Sequence, residues 1–362
     1  MLSQTIQAFV YSLKSIETQK HYLLNIRYFE KWHKNKVDSL LQTDSKIIEK
    51  TLIDYIVSMR KQNLSYNYIK SRISPIIVFL ELNDVTVNKK KIARFYPENI
   101  KTIEDEAYTR VDIQKMLQYA SYRVKVIILI YSSTGIRKAT LADLKLKHLQ
   151  KMDNNSVYKF TIYENTKDEY ITFCTPECAD AIDQYIEKRK TDGEKITKES
   201  FLIRNDYDSK NGGAGSTYGV RNPKPVNIGG LTMLIATLLE RVNLRTKNHV
   251  TENYKYKRQS KATFHAFRKY FNTCLANCDV NVTIKEMLMG HSVGLDDSYY
   301  KPNEKQLIAE YSKATNELTI NEENRLRTEL DIMKEKQDKI DMLLSRIELM
   351  EKQFGEASKL AK

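Results

Sequence analysis

The sequence of 362 residues lacks any apolar run of about 18 residues, the length that a membrane-spanning helix needs. Its first residues, MLSQTIQAFVYSLKS, also lack the basic, apolar and small-residue regions of a secretory leader. Both absences lead us to expect a soluble protein of the cytoplasm with no membrane partner.

Cysteine is scarce, with four copies that fall in two CxxxC pairs, Cys174/Cys178 and Cys274/Cys278. Four thiolates could in principle bind zinc, but structural zinc sites usually have tighter spacing and turn glycines. Both pairs lie in strongly patterned segments, so we interpret them as buried free thiols. We therefore expect neither a metal nor a cofactor.

Acidic residues are too few to balance the basic ones, since Lys plus Arg total 59 and Asp plus Glu total 46. The formal net charge of +13 divides into +5 for residues 1–107, +9 for 108–312 and −1 for 313–362. A positive excess of this kind attracts polyanions, which makes nucleic acid the leading partner.

The densest basic segment is 241–270, which holds nine Lys or Arg and one Glu. Aromatic residues are interleaved with these charges, as on surfaces that contact phosphate and sugar. A solvated basic loop is the alternative, and we favour DNA contact. The candidate DNA-binding residues are Arg241, Arg245, Lys247, Lys255, Lys257, Arg258 and Lys261.

Residues 1–95 show helical periodicity throughout and predict a small helical bundle. Helix starts are expected at Ser15 and near Ser65, and Pro75 is expected to kink the helix that contains it. A proline-containing break and an acidic stretch follow, so we place an interdomain linker at 96–107.

Residues 108–312 combine helices with one change of period. Two segments rich in Val, Ile, Thr, Tyr and Phe, 157–163 and 169–174, predict a β-hairpin with a polar turn. The expected fold class is therefore mainly α with a small β-hairpin or sheet, in the α+β class. Helices are expected at 111–120, 122–133, 176–190, 228–244 and 264–277, with an exposed loop at 205–227.

The tail, residues 313–362, has apolar residues on the alternating three-four spacing of a coiled coil. Gln337 and Glu351 occupy two seam positions and weaken this reading, although a polar seam residue can fix register. We predict a long helix that controls association of protomers, with packing onto its own catalytic domain as the alternative.

Three short motifs in the middle segment carry candidate chemistry: Thr134-Gly135-Ile136-Arg137, His265-Ala266-Phe267-Arg268 and Gly290-His291. A Tyr299-Tyr300 pair follows, in which Tyr300 is nine residues beyond His291. Each motif alone is weak evidence of a catalytic site, because a lone arginine is usually a surface residue and a lone histidine is usually a core residue. Their order and spacing together make coincidence unlikely.

These motifs resemble those of the tyrosine recombinase (phage integrase) family, and the resemblance is closest to the archaeal integrases and Xer-like recombinases. The resemblance covers the chain to about residue 312 and implies a core-binding, DNA-binding domain at 1–95 and a catalytic domain at 108–312. It implies the catalytic residues Arg137, Lys167, His265, Arg268, His291 and Tyr300.

Two of these assignments have competitors. Lys167 is placed only by the predicted hairpin, with Lys159 as a poorer candidate, and Tyr299 competes with Tyr300 for the role of nucleophile. The sequence also departs from many relatives at Thr140, where they carry an acid three residues after the first arginine.

The residue types suit phosphodiester cleavage. Paired guanidinium groups bind the non-bridging oxygens, a tyrosine attacks phosphorus, His265 is the candidate base, and Lys167 protonates the leaving 5′-oxygen. His291 would hydrogen-bond the phosphate. The predicted reaction joins DNA to the tyrosine as a 3′-phosphotyrosine and exchanges strands without ATP or metal.

Three other functions are compatible with the sequence. A type IB topoisomerase uses the same chemistry, a regulator could keep the fold and lose the activity, and an assembly protein would use chiefly the tail. As a recombinase, the chain would act on double-stranded DNA at specific sites, in the nucleoid, as a tetramer on two sites. Integration of a mobile element is favoured over chromosome-dimer resolution.

Overall fold

The computed structural model describes residues 3–100, 104–152, 156–206, 219–245, 259–294 and 300–360, and leaves out the side chains of 335, 349 and 351–360. The chain divides into two compact units, Met1–Thr102 and Ile103–Lys362. Among the described residues, no helix has the length and apolar character to span a membrane.

The first unit is helical, as predicted. Its helices are α1 (Gln4–Ser12), α2 (Ile16–His33), α3 (Ser45–Lys61), α4 (Tyr66–Leu82) and α5 (Lys89–Ala93), with a 3-10 turn at Val37–Gln42. Ser15 and Ser65 cap the N-termini of α2 and α4, where their hydroxyls accept from backbone amides. Helix α4 continues through Pro75 as one element.

The second unit is built around a helix that is buried along most of its length. Its elements before the tail are α6 (Arg110–Tyr119), α7 (Tyr122–Thr134), α8 (Thr140–Asp143), β1 (Leu149–Met152), β2 (Val157–Ile162), β3 (Tyr170–Phe173), α9 (Pro176–Thr191), α10 (Ile228–Arg241), α11 (His265–Asn277) and α12 (Val282–Leu288). Helix α7 packs between α9 and α11, so its continuous apolar run lies in the core.

The sheet is larger than the sequence predicted. The predicted hairpin forms β2 and β3, but β1 adds to β2 and gives an antiparallel sheet in the order β1-β2-β3. No sequence pattern indicated β1, because its four residues have the exposure of an edge strand rather than an alternating pattern.

The chain closes with α13 (Glu304–Lys313), α14 (Thr315–Leu318) and α15 (Glu322–Leu360). Tyr311 of α13 is buried and donates from its hydroxyl to the carbonyl of Ser133 at 2.9 Å, which ties this region to the end of α7. Helix α15 has 39 residues.

Three of the four cysteines, Cys174, Cys178 and Cys274, are buried, and Cys278 is partly exposed. All four are free thiols. Burial raises the pKa of Cys178 and of Cys274, which keeps both in the apolar thiol form.

Candidate active site

Arg268 connects the three sequence motifs into one site. It lies on α11 and is buried, at 7% exposure. Its Nη1 donates to the carbonyl of Gly135 at 2.5 Å, and its Nη2 donates to the carbonyl of Met289 at 2.6 Å. The same Nη2 lies 2.6 Å from Nε2 of His291. One guanidinium therefore connects residues from three separate parts of the sequence.

Arg137 reaches the same loop from the end of α7. The helix ends at Gly135, which has a φ of +61°, and the ring of Phe271 lies 2.4 Å from where a Cβ at this position would stand. Only glycine fits this turn. Arg137 follows it, and its exposed side chain donates from Nη2 to the carbonyl of Gly290 at 2.7 Å.

The charge of Arg137 acts on the guanidinium group of Arg268. Burial lowers the pKa of Arg268, and the positive charge of Arg137 lowers it further. Two cations held in proximity repel, and an anion bound between them would relieve that repulsion. The arrangement can therefore bind a phosphodiester.

His291 is oriented from both sides of its ring. Its Nδ1 lies 2.5 Å from the Glu286 carboxylate, and its Nε2 faces Arg268. Arginine can only donate, so Nε2 must be the acceptor and the proton must lie on Nδ1, where it is donated to Glu286. Glu286 thus fixes the tautomer of this histidine.

Gly290 leaves no space for a side chain. Its φ is +63°, and a Cβ there would lie 2.4 Å from Cε1 of Tyr170 on β3. Burial raises the pKa of Tyr170, while Arg268 and Arg137 act in the opposite direction. The ring of Tyr170 therefore supports the loop that carries His291.

Lys167 and Tyr300 line one open cleft together with Tyr170, Gly290 and His291. Lys167 lies in the exposed turn between β2 and β3, and Tyr300 is 38% exposed. The described residues supply no hydrogen bond or ion pair to either side chain. Both groups are thus open to a bound substrate.

Lys159, the competing lysine, lies on β2 and forms an ion pair with Glu304 at 2.7 Å. Only 13% of its side chain is exposed. This engagement with Glu304 favours Lys167 as the lysine that reaches substrate.

His265 is the first residue of α11, one turn before Arg268, and its side chain is exposed. It forms no hydrogen bond to any described residue and does not line the cleft that holds Lys167 and Tyr300. The structure thus brings five of the six predicted catalytic residues into two adjoining groups and leaves His265 at the helix start.

Thr140, which stands where many relatives have an acid, is buried at 2% exposure. Its hydroxyl lies 2.9 Å from the hydroxyl of Tyr163, and its amide donates to the carbonyl of Arg137. Thr140 therefore supports the turn that carries Arg137 without placing a charge beside it.

The predicted DNA-binding residues are only partly described. Arg241 is exposed, with its guanidinium 5.2 Å from the Tyr119 ring, and Arg245 donates to the Thr263 hydroxyl at 2.8 Å. Lys261 forms an ion pair with Asp112 at 2.7 Å, so its charge is engaged within the protein. The remaining DNA-binding candidates, Lys247, Lys255, Lys257 and Arg258, lie outside the described residues. Tyr299, the alternative nucleophile, also lies outside them.

Sequence reasoning missed Glu286 and Tyr170. Glu286 precedes His291 by five residues. Asn281 could have been recognised as the N-cap of α12, which would have placed Glu286 on that helix and His291 in the turn that follows it. Tyr170 gave no signal, because its contact with Gly290 joins segments that are 120 residues apart.

Comparison with known proteins places these features in a wider group. The sequence model of the Phage integrase family matches residues 93–305, more than half of the chain. No curated protein sequence matches this chain.

Solved structures share the fold at low identity. The Tn1549 transposon integrase in complex with transposon right end DNA is 17% identical, with 86% of this chain and 99% of that chain covered and a TM-score of 0.54. The XerH site-specific recombinase bound to difH substrate, in a pre-cleavage complex, is 14% identical, with 79% and 76% covered and a TM-score of 0.50.

Proposed function

The chain belongs to the phage integrase family, and on that premise we propose that it is a site-specific DNA recombinase that cleaves and rejoins DNA through a 3′-phosphotyrosine. One observation carries the proposal: Arg137 and Arg268 are anchored on the same Met289-Gly290-His291 loop, beside a cleft that holds Tyr300 and Lys167. Membership in the family supports the reaction class, and this geometry supports the roles.

Arg137 and Arg268 bind the non-bridging oxygens of the scissile phosphate. Attack on phosphorus gathers negative charge on these oxygens, and planar guanidinium groups match them with paired hydrogen bonds. Because both side chains are already held by backbone carbonyls, little reorganisation is needed when the charge develops. Removal of one such donor typically costs about 10²–10³ in rate.

Tyr300 is the nucleophile. Its phenolic oxygen attacks phosphorus and forms the new P–O bond, while the bond from phosphorus to the 5′-oxygen breaks. A free phenol has a pKa of about 10, so a base must accept its proton as the attack proceeds. His265 is proposed as that base, which requires substrate to bring the α11 start and Tyr300 together.

Lys167 protonates the leaving 5′-oxygen, and its exposed ammonium on the β2–β3 turn suits that role. The energy of the broken ester remains in the phosphotyrosine, so a 5′-hydroxyl of another strand can reverse the step without ATP. To position the phosphate, His291 must donate from Nε2, so this nitrogen, which now accepts from Arg268, has to gain a proton when substrate takes its place beside the ring.

The partner is double-stranded DNA at specific sites, with four protomers on two sites during exchange. The net charge of +13 and the exposed Arg241 support contact with phosphates. The first unit is proposed as the core-binding, DNA-binding domain and the second as the catalytic domain, with the reaction taking place on DNA in the cytoplasm. Integration of a mobile element is favoured over dimer resolution.

Incubation with nicked DNA from the junctions that flank the gene tests this function. Cleavage at a nick releases a short fragment and traps the covalent complex, which a denaturing gel resolves. Recombined product from two intact sites would support a recombinase, and relaxation of supercoiled DNA without product would favour a topoisomerase. Tight DNA binding without any adduct would instead favour a regulator.

A further inference from the structure

We propose that α15 pairs with α15 of a second copy as a parallel, in-register coiled coil. The inference rests on the exposed face of this helix and on its charge pattern, and it holds whether or not Tyr300 cleaves DNA. The apolar seam consists of Leu326, Leu330, Met333, Ile340, Leu344 and Ile347.

The seam is uncovered in the single chain. Its six side chains are between 48% and 65% exposed. They recur at alternating spacings of three and four over three heptads, with Gln337 as the one polar interruption. A stripe of this regularity along about 32 Å of helix would be costly to leave in water.

The helix starts from a fixed point on the second unit. The amides of Ile320 and Asn321 donate to the carboxylate of Glu177, and Gln114 donates to the carbonyl of Ile320 at 3.0 Å. Asn316 donates to Glu329 in the first turns of α15 at 2.8 Å. Beyond these contacts the seam residues stay exposed, so the helix does not fold back to bury them.

The charges that flank the seam identify the occupant. Positions 322, 329 and 336 are the g positions of the heptad that this seam defines. In a parallel dimer, each g residue faces the e residue five positions further along the partner helix. Three successive pairs are then opposite in charge: Glu322 with the partner's Arg327, Glu329 with the partner's Lys334, and Lys336 with the partner's Asp341. No like-charged pair occurs at these positions between 322 and 341.

The same comparison favours the parallel orientation. The parallel dimer has six such pairs, counted from both chains, and its two Gln337 amides face one another across the seam. An antiparallel dimer has four oppositely charged pairs, because in each chain Arg327 faces the partner's Glu348 and Lys334 faces the partner's Asp341. It also places Gln337 against an isoleucine. A buried amide without a partner is costly, so the parallel register is preferred.

Light scattering on the full-length protein tests the pairing. Wild type should reach about twice its 42.3 kDa as concentration rises, and Leu330→Asp with Leu344→Asp should stay monomeric. The matched control, Ile332→Asp with Met342→Asp, changes exposed apolar residues off the seam of the same helix and should dimerise as wild type does. A monomeric wild type, or equal behaviour of the two double variants, would overturn the proposal.

Cysteine cross-linking tests the orientation. Leu330→Cys should form a disulfide with its own counterpart under mild oxidation, because the two positions face each other in a parallel register. Wild type under the same oxidant controls for Cys278, the partly exposed native thiol. Cross-linking only when Leu330→Cys is mixed with Ile347→Cys would show an antiparallel pair and overturn the parallel assignment.

Discussion

At the residue scale, Gly290 controls the geometry of the site more than its size suggests. Its carbonyl accepts from Arg137, the carbonyl before it accepts from Arg268, and the residue after it is His291. A side chain at this position would have to displace the ring of Tyr170. The loop can therefore hold both arginines only while position 290 is glycine.

We predict that Gly290→Ala abolishes cleavage and lowers stability by more than Gly294→Ala does. Both glycines have a positive φ, at +63° and +72°, so both variants share a backbone cost of about 1 kcal/mol. Position 290 meets the Tyr170 ring, whereas no atom of the described residues lies within 4 Å of a Cβ at 294. Urea unfolding and the nicked-DNA assay measure the two effects, and equal losses in both variants would contradict this account.

Sequence alone predicted Arg137, Arg268 and His291 as site residues, because the family motifs around them are short and local. It could not identify Glu286 or Tyr170, which act on His291 and Gly290 through the tertiary fold. The same reason explains Lys159, whose pairing with Glu304 joins strand and helix across 145 residues. Local motifs thus predict the groups proposed to meet substrate, and the fold reveals the groups that hold them.

At the element scale, the β2–β3 hairpin presents Lys167 to the cleft. We predict that Lys167→Ala slows cleavage by about 10²–10⁴, the usual value of a general acid. A substrate with sulfur in place of the leaving 5′-oxygen should restore most of the rate, because a thiolate leaves without being protonated. Gel assays with both substrates measure this rescue.

The control for the hairpin is Lys159→Ala on β2. This change breaks the ion pair with Glu304 and should give no selective rescue with the sulfur substrate. Selective rescue of Lys159→Ala instead of Lys167→Ala would transfer the role of acid to Lys159.

Helix α9 is tied to the segment after it by a buried ion network. Arg189 and Arg204 both donate to Glu194, with Arg189 Nη2 at 2.5 Å and Arg204 Nη1 at 2.7 Å, and at most 2% of any of these side chains is exposed. Burial opposes ionisation, but the two guanidinium groups hold the pKa of Glu194 below its ordinary value. The network therefore depends on a charged carboxylate.

We predict that Glu194→Gln lowers the free energy of unfolding by about 3–5 kcal/mol at neutral pH, because it removes the carboxylate charge that neutralises two buried guanidinium groups. A lowered pKa adds stability above the ordinary pKa of about 4.3, and this part is lost as pH falls through the lowered value. Wild type should therefore lose its advantage over the variant on acidification. Unfolding curves at several pH values, with exposed Glu199→Gln as the control, measure this, and a pH-independent difference would contradict it.

The sequence predicted most helices at this scale and missed β1. Helices α2, α3, α4 and α9 have side-chain caps and apolar faces that can be read directly. Strand β1 has four residues, and it forms because β2 offers it an unpaired edge. Its formation depends on tertiary pairing, which a local pattern cannot show.

At the scale of the whole molecule, the basic excess predicts the response of DNA binding to salt. Each phosphate neutralised should contribute a slope of about −0.9 to the plot of log affinity against log salt concentration. Arg241→Ala should reduce that slope by about one unit if its exposed guanidinium contacts a phosphate. Lys261→Ala should leave it unchanged, since Lys261 is paired with Asp112. Fluorescence anisotropy at several salt concentrations measures both, and equal slopes for the two variants would contradict this assignment.

The central claim is that Tyr300 forms the covalent bond to DNA, and covalent capture on nicked site DNA tests it most directly. Wild type and Tyr299→Phe should give an adduct on a denaturing gel, and Tyr300→Phe should give none. All three should bind the DNA alike, because the change removes one oxygen and no positive charge. An adduct that persists in Tyr300→Phe and disappears in Tyr299→Phe would contradict the account.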